Sequence, residues 1–213
     1  MLAMKERLQK YLLGDLSVWS LLLSNAITIF FAMKDGWDLP TLLWIYWIQS
    51  VIIGIFNVVR ILRVREVSNE SILPGDHPAK PARSKGGSAI FFACHYGIFH
   101  FTYLMALLSS SVFAGAANAV DMRAIAFAAL VFFGNHLFSF LYNARRDSGK
   151  QNTHVLMFYP YARIIPMHFM LALSLPLAGA LPFFLVLKTL ADVIMHSIEH
   201  NVLRKGEVQV AVV

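Results

Sequence analysis

Lys188, Asp192, His196 and His200 recur every four residues, so a helix presents all of them on one face. The residues between them are mostly aliphatic. An ionisable stripe on an apolar helix is costly in lipid and faces a protein interior or a cavity. Three further histidines, His95, His136 and His168, each fall in a different apolar stretch. At ~1.5 Å rise per residue, each lies about 10 Å from the same end of its stretch. Asp192 and His196 bracket a similar depth, and His100 sits deeper than His95. Neutral imidazole is the commonest protein metal ligand, and helix bundles build metal sites from facing helices. The expectation is an intramembrane metal site formed by His95, His136, His168, Asp192 and His196.

Such a site has definite chemistry. Zinc held by a few protein ligands brings its bound water to a pKa of about 7, which suits hydrolysis of an ester or amide. Iron with His and carboxylate ligands suits oxidation of a lipid chain. Asp192 and Lys188 are the catalytic candidates. Arg163 and Asn57 are candidates for holding a substrate, although Arg163 can equally snorkel to headgroups. Lys188 is too deep to snorkel, and Asp192, one turn away, is its natural partner. If they pair, Asp192 is at least partly a counter-ion and not a ligand. A second reading treats Lys188, Asp192, His196 and His200 as a relay for protons or a metal ion.

Other polar residues surround these positions. Asn135, Ser139 and Asn143 accompany His136, while Gln49, Ser50 and Asn25 occupy earlier apolar stretches. They can support metal-bound imidazoles, or simply join helices by hydrogen bonds. The latter is preferred for Gln49 and Asn25. Trp37, Trp44, Trp47, Tyr142, Tyr159 and Tyr161 lie near the ends of apolar stretches and read as an interfacial belt. Cys94, the single cysteine, excludes an internal disulfide and reads as a small core residue. His77 and His154 read as solvated loop residues.

The elements that must position these groups are transmembrane helices. Of the 213 residues 58% are hydrophobic and 14% charged, with a mean hydropathy of +0.61. Soluble domains carry about a quarter charged residues. The expected fold is an all-α polytopic membrane bundle of six helices, at residues 16–33, 40–62, 88–113, 122–142, 161–177 and 181–200. Residues 1–15 read as an interfacial amphipathic lead-in and 201–213 as a flexible tail. Lys and Arg concentrate at the N-terminus, after spans two and four, and at the C-terminus. The alternate connections carry little or no surplus positive charge. By the positive-inside rule both termini are cytoplasmic. The net charge of +6 is thereby explained without nucleic acid, since no basic patch is interleaved with exposed aromatics. No half-to-half repeat of the inverted-repeat transporter kind is visible.

The segments Trp47-Ile-Gln-Ser-Val-Ile-Ile-Gly-Ile-Phe-Asn57, His95-Tyr-Gly97, Asn135-His-Leu-Phe-Ser-Phe140, Arg163-Ile-Ile-Pro-Met-His168 and Lys188 to His196 resemble a family of bacterial six-span integral membrane proteins of unknown function. The resemblance covers spans two to six. It implies a multi-pass protein of the bacterial inner membrane and brings no activity with it. Alkaline-ceramidase and adiponectin-receptor-like hydrolases are similar in ingredients, holding zinc with three His among membrane helices, but have seven spans and different motif spacing. Membrane b-type cytochromes offer a haem alternative, with His95 and His136, or His136 and His168, as axial ligands. The combined expectation is a metal-dependent membrane hydrolase or oxidase. Its cofactor is a divalent metal, zinc first, then iron or copper, with haem after them. Its partners are membrane lipids and a small lipid-soluble substrate, and a homo-oligomer is compatible with the sequence.

Overall fold

The computed structural model describes residues 16–67, 84–109, 120–144, 150–151, 156–158, 160–161, 186, 188–190 and 192–193. Four long helices hold most of them: α1 (Leu16–Lys34), α2 (Leu39–Arg63), α3 (Lys85–Ser109) and α4 (Met122–Asn143). Each is long and apolar enough to cross a bilayer. Their outward faces carry large exposed apolar side chains, among them Ile90, Ile98, Leu130 and Leu141. A surface so continuously apolar belongs in lipid. This is a membrane protein.

The first, second and fourth spans match the sequence expectation to within a residue at either end. The third starts earlier, at Lys85 instead of residue 88. Ser84 explains the difference. Its hydroxyl accepts from the Gly87 N–H at 3.1 Å and its carbonyl from the Ser88 N–H at 2.9 Å. That is an N-cap, and it holds a polar first turn that hydropathy alone excludes. Residues 110–113 and nearly all of the fifth and sixth spans lie outside the described residues, as do the lead-in and the tail.

Local chemistry sets where the chain reverses. Gly36, with φ +63°, ends α1 in the left-handed conformation that glycine tolerates. The Trp37 N–H reaches back to the Ala32 carbonyl at 2.9 Å, closing a Schellman cap. Asp38 then caps α2, its carboxylate accepting from the Thr41 N–H at 3.0 Å, with Pro40 in the first turn. Asp121 caps α4 in the same way, accepting from the Arg123 and Ala124 N–H groups at 2.8 and 3.1 Å.

A link between these two caps fixes the direction of the helices. The Asp121 N–H donates to Thr41 Oγ1 at 3.0 Å, so α2 and α4 begin side by side. At their other ends the Arg63 guanidinium lies over the Phe140 ring, 5.2 Å from its centroid. Just beyond, β1 (Glu66–Val67) and β2 (Lys150–Gln151) pair in parallel, Glu66 with Lys150 and Val67 with Gln151. Helices α2 and α4 therefore run parallel, as alternating spans require.

Helix α2 is the centre of the bundle. It packs against α3 and α4, and α1 packs against α4. Leu42, Leu43 and Ile45 of α2 meet Ala128 and Phe132 of α4 near their common starting end. Toward the other end Ile61 joins Phe92, Tyr96 and Leu156. Trp37 belongs to the first cluster and is buried, not a member of a lipid-facing belt. Cys94 departs in the opposite sense. It is exposed on the outer face of α3 instead of lying in the core, because the packed face of α3 carries Phe92, Tyr96 and His100.

Candidate functional site

Buried polar residues gather at the mid-level of the helices. Asn25 is the central residue of α1, so it lies about 13 Å from either end of the helix at ~1.5 Å per residue. Its amide nitrogen donates to the Leu21 carbonyl at 2.9 Å, within its own helix. That bond turns Asn25 Oδ1 outward from α1, where it accepts from the Lys188 ammonium at 2.8 Å. The assignment of the amide is unambiguous, since lysine only donates and a carbonyl only accepts. Lys188 Nζ lies 2.8 Å from Asp192 Oδ2, the pairing across one helical turn that the sequence suggests. Gln49 of α2 donates its amide to the same carboxylate oxygen over a longer 3.4 Å.

Among the described residues two aromatic rings also face the ammonium. The Phe132 ring centroid of α4 is 4.6 Å from Nζ, and the Tyr46 centroid of α2 is 5.1 Å away. Both distances lie within the range of cation–π attraction. Lys188 and Asp192 are buried, as are Asn25, Gln49 and Tyr46. The Tyr46 hydroxyl has no hydrogen-bond partner among the described residues. A unit charge pair at this depth is expensive unless its polar atoms are satisfied. Here α1 and α2 each contribute an amide, and α2 and α4 each contribute a ring.

A second network joins α2 to α3. His100 Nδ1 is 2.9 Å from the Tyr96 carbonyl, and Nε2 is 2.8 Å from Ser50 Oγ. A carbonyl only accepts, so Nδ1 carries the hydrogen, and in the neutral imidazole Nε2 receives the Ser50 hydroxyl. The Tyr96 hydroxyl lies 2.9 Å from Ser50 Oγ and donates to the Ser50 carbonyl at 3.0 Å. Gly54 makes room for this arrangement. A Cβ there would stand 2.6 Å from Tyr96 Cε1. The Trp47 indole N–H donates to the His100 carbonyl at 2.9 Å. Trp47 thus ties α2 to α3 and is not an interfacial anchor.

Of the expected metal ligands, His95, His136 and Asp192 lie among the described residues. His95 is exposed on α3, stacked on Phe91, with Nδ1 at 2.7 Å from the Tyr161 hydroxyl. Tyr161 also touches Phe92 and Tyr96, so it packs on α3 instead of lying in an interfacial belt. His136 is half-buried on α4 beside the Phe56 ring of α2. The two imidazoles occupy helices that pack separately on α2. Among the described residues no three His, Cys, Asp or Glu are placed to hold a metal ion together. His168, His196, His200 and Arg163 lie outside the described residues. Asn57 is buried, and its amide nitrogen has no hydrogen-bond partner among them. Asn135 accepts from the Ser20 hydroxyl at 2.7 Å and so joins α4 to α1.

Sequence reading finds Lys188 and Asp192 by their spacing and misses their aromatic cover. Tyr46 and Phe132 carry no local signal that separates them from ordinary core. The His100–Ser50–Tyr96 network was equally hidden, because its members come from different helices.

The chain belongs to DUF6498, a family of unknown function. The match extends over residues 8–208 and so includes every residue of both networks. No curated protein and no solved structure matches the chain. Family membership agrees with the resemblance to a family of unknown function, and it assigns no chemistry.

Proposed function

We propose that the protein is a proton-coupled membrane carrier whose charge site is the Lys188–Asp192 pair. The carrying observation is the buried ion pair at mid-membrane depth, met by Asn25 from α1 and Gln49 from α2. Ionisable groups at that depth are retained where charge must be handled inside the bilayer. Sites built where several helices converge near the midplane are the usual arrangement in carriers. A proton added to Asp192, or lost from Lys188, would dissolve the pair and free the helices that it joins. That is the kind of two-state element that transport needs. The full proposal includes six spans, both termini in the cytoplasm, and a bacterial inner membrane. The surplus of Lys and Arg on alternate connections supports that topology.

The test uses proteoliposomes enclosing a pH-sensitive dye, challenged in turn with metal cations, organic cations and organic anions. At least one class should change the internal pH faster than in protein-free vesicles, and Asp192→Asn should abolish the difference. The Lys188→Met/Asp192→Asn double variant, which removes both charges of the pair, serves as the folded control and should also be inactive. Rates equal to protein-free vesicles for all three classes would refute the carrier.

A further inference from the structure

The surroundings of Lys188 Nζ form a receptor for an ammonium ion. One carboxylate oxygen and one amide oxygen lie at 2.8 Å, and two ring faces lie at 4.6 and 5.1 Å. These groups come from α1, α2, α4 and the helical residues around Lys188. Nothing in this set is specific to a lysine attached to the chain. We propose that the pocket is a binding site for a free primary aliphatic ammonium ion, which displaces the Lys188 ammonium as its tethered stand-in. The proposal rests on the carrier reading and adds the class of its cargo.

The chemistry of the donors selects this class. Hard metal cations require about six or more oxygen ligands. Among the described residues two oxygens and two ring faces meet the cation, a mixed set that suits an ammonium better than a hard metal ion. Quaternary ammonium ions suit ring faces but cannot donate to Asn25 Oδ1 and Asp192 Oδ2. A primary ammonium does both, its N–H groups meeting the oxygens and its alkyl chain the rings. Tyr46 adds a buried hydroxyl with no hydrogen-bond partner among the described residues, a group that a bound ligand can satisfy.

Displacement accounts for proton coupling with charges in balance. Among the described residues the titratable groups in contact with Lys188 are Asp192 and Tyr46. When an incoming R–NH3+ takes the Asp192 carboxylate, the Lys188 side chain loses that carboxylate as its counter-ion. An ammonium without a counter-ion in a low-dielectric interior gives up its proton. Lysine becomes neutral, the carboxylate stays ionised, and one cation enters as one proton leaves. No covalent bond other than N–H changes. The four-carbon lysine stem is flexible enough to withdraw without moving the helix.

The probe is n-butylammonium, which reproduces the lysine side chain. Its binding to the detergent-purified full chain is measured by titration calorimetry in two buffers of different ionisation enthalpy, which counts protons. The native protein should bind it and release about one proton per cation. Lys188→Ala should bind at least about tenfold more tightly with no proton release, since its internal competitor is gone. Asp192→Asn should not bind. Phe132→Leu keeps the core apolar and the ion pair intact, and should weaken binding about five- to tenfold through the lost ring face. Binding by Lys188→Ala but not by the native chain would make Lys188 a permanent structural pin and overturn the proposal. Binding by neither, or sodium ion binding as tightly as the amine, would also overturn it. Cargo-driven pH changes in vesicles without amine binding would remove the amine assignment and leave the carrier. Amine binding with proton release, but no vesicle response, would remove the carrier and leave the site.

Discussion

Asp192 and Lys188 form a buried ion pair 2.8 Å apart, and single substitutions expose their mutual dependence. Removing one partner strands the other charge in an apolar interior, which costs about 3–5 kcal/mol. Asp192→Asn and Lys188→Met should each lower stability by that amount in detergent unfolding. The double variant should lose clearly less than the sum, because no charge remains buried. Additive losses would mean that the two groups do not interact. At Gly54 the limit is steric. Gly54→Ala places a methyl 2.6 Å from the Tyr96 ring, so α2 and α3 must separate or the ring must swing. The expected loss is about 1–3 kcal/mol, read by thermal unfolding. Trp47→Phe, which loses one indole hydrogen bond to His100, should cost about 1 kcal/mol and serves as the contrast.

Helix starts in this chain are set by short polar side chains, and the two that carry aspartate do more than cap. Asp121→Ala removes an acceptor for the Arg123 and Ala124 N–H groups and should destabilise by about 1 kcal/mol. Thr41→Val leaves both caps but strands the Asp121 N–H that bridges them, at a cost of about 1–3 kcal/mol. Unfolding midpoints of both variants provide the check, and an unchanged Thr41→Val midpoint would contradict the bridge. These starts explain what the sequence could and could not convey. Asp38 with Pro40, Gly36 and Asp121 are local signals that name their positions, and three helices follow from them and from apolar length. Ser84 gives no such signal, because the Gly-Gly pair behind it looks like loop. The rotation of each helix was not legible. In a bilayer the lipid-facing side is as apolar as the packed side, so hydropathy does not mark the interface. For that reason Cys94 reads as core although it is exposed, and Trp37 reads as a belt residue although it is buried. Lys188 and Asp192 escaped the problem because lipid cannot accept them. The partners of that pair, Asn25 and Gln49, were readable as polar outliers but not as members of one site.

At the scale of the molecule, the common direction of α2 and α4 is the feature that a topology must respect. Thr41 with Asp121 joins their starts, and β1 with β2 joins the chain just beyond their ends. The connections that follow α2 and α4 must therefore lie on one side of the membrane, next to each other. In the proposed topology the basic residues Arg60, Arg63 and Arg65 put that side in the cytoplasm, following the positive-inside rule. A cysteine pair tests adjacency and sidedness together in a Cys94→Ser background. Val67→Cys with Gln151→Cys should cross-link under mild oxidation, because the two positions are register partners in the parallel pairing. In the reduced state both should resist a membrane-impermeant maleimide added to intact cells and react once the membrane is opened. Asp35→Cys, on the α1–α2 turn, should give the reverse and react in intact cells. Cross-linking with inverted labelling would keep the bundle and turn it over in the membrane. Failure to cross-link would separate α2 from α4 at this end and remove the parallel arrangement that brings Tyr46 and Phe132 together over Lys188.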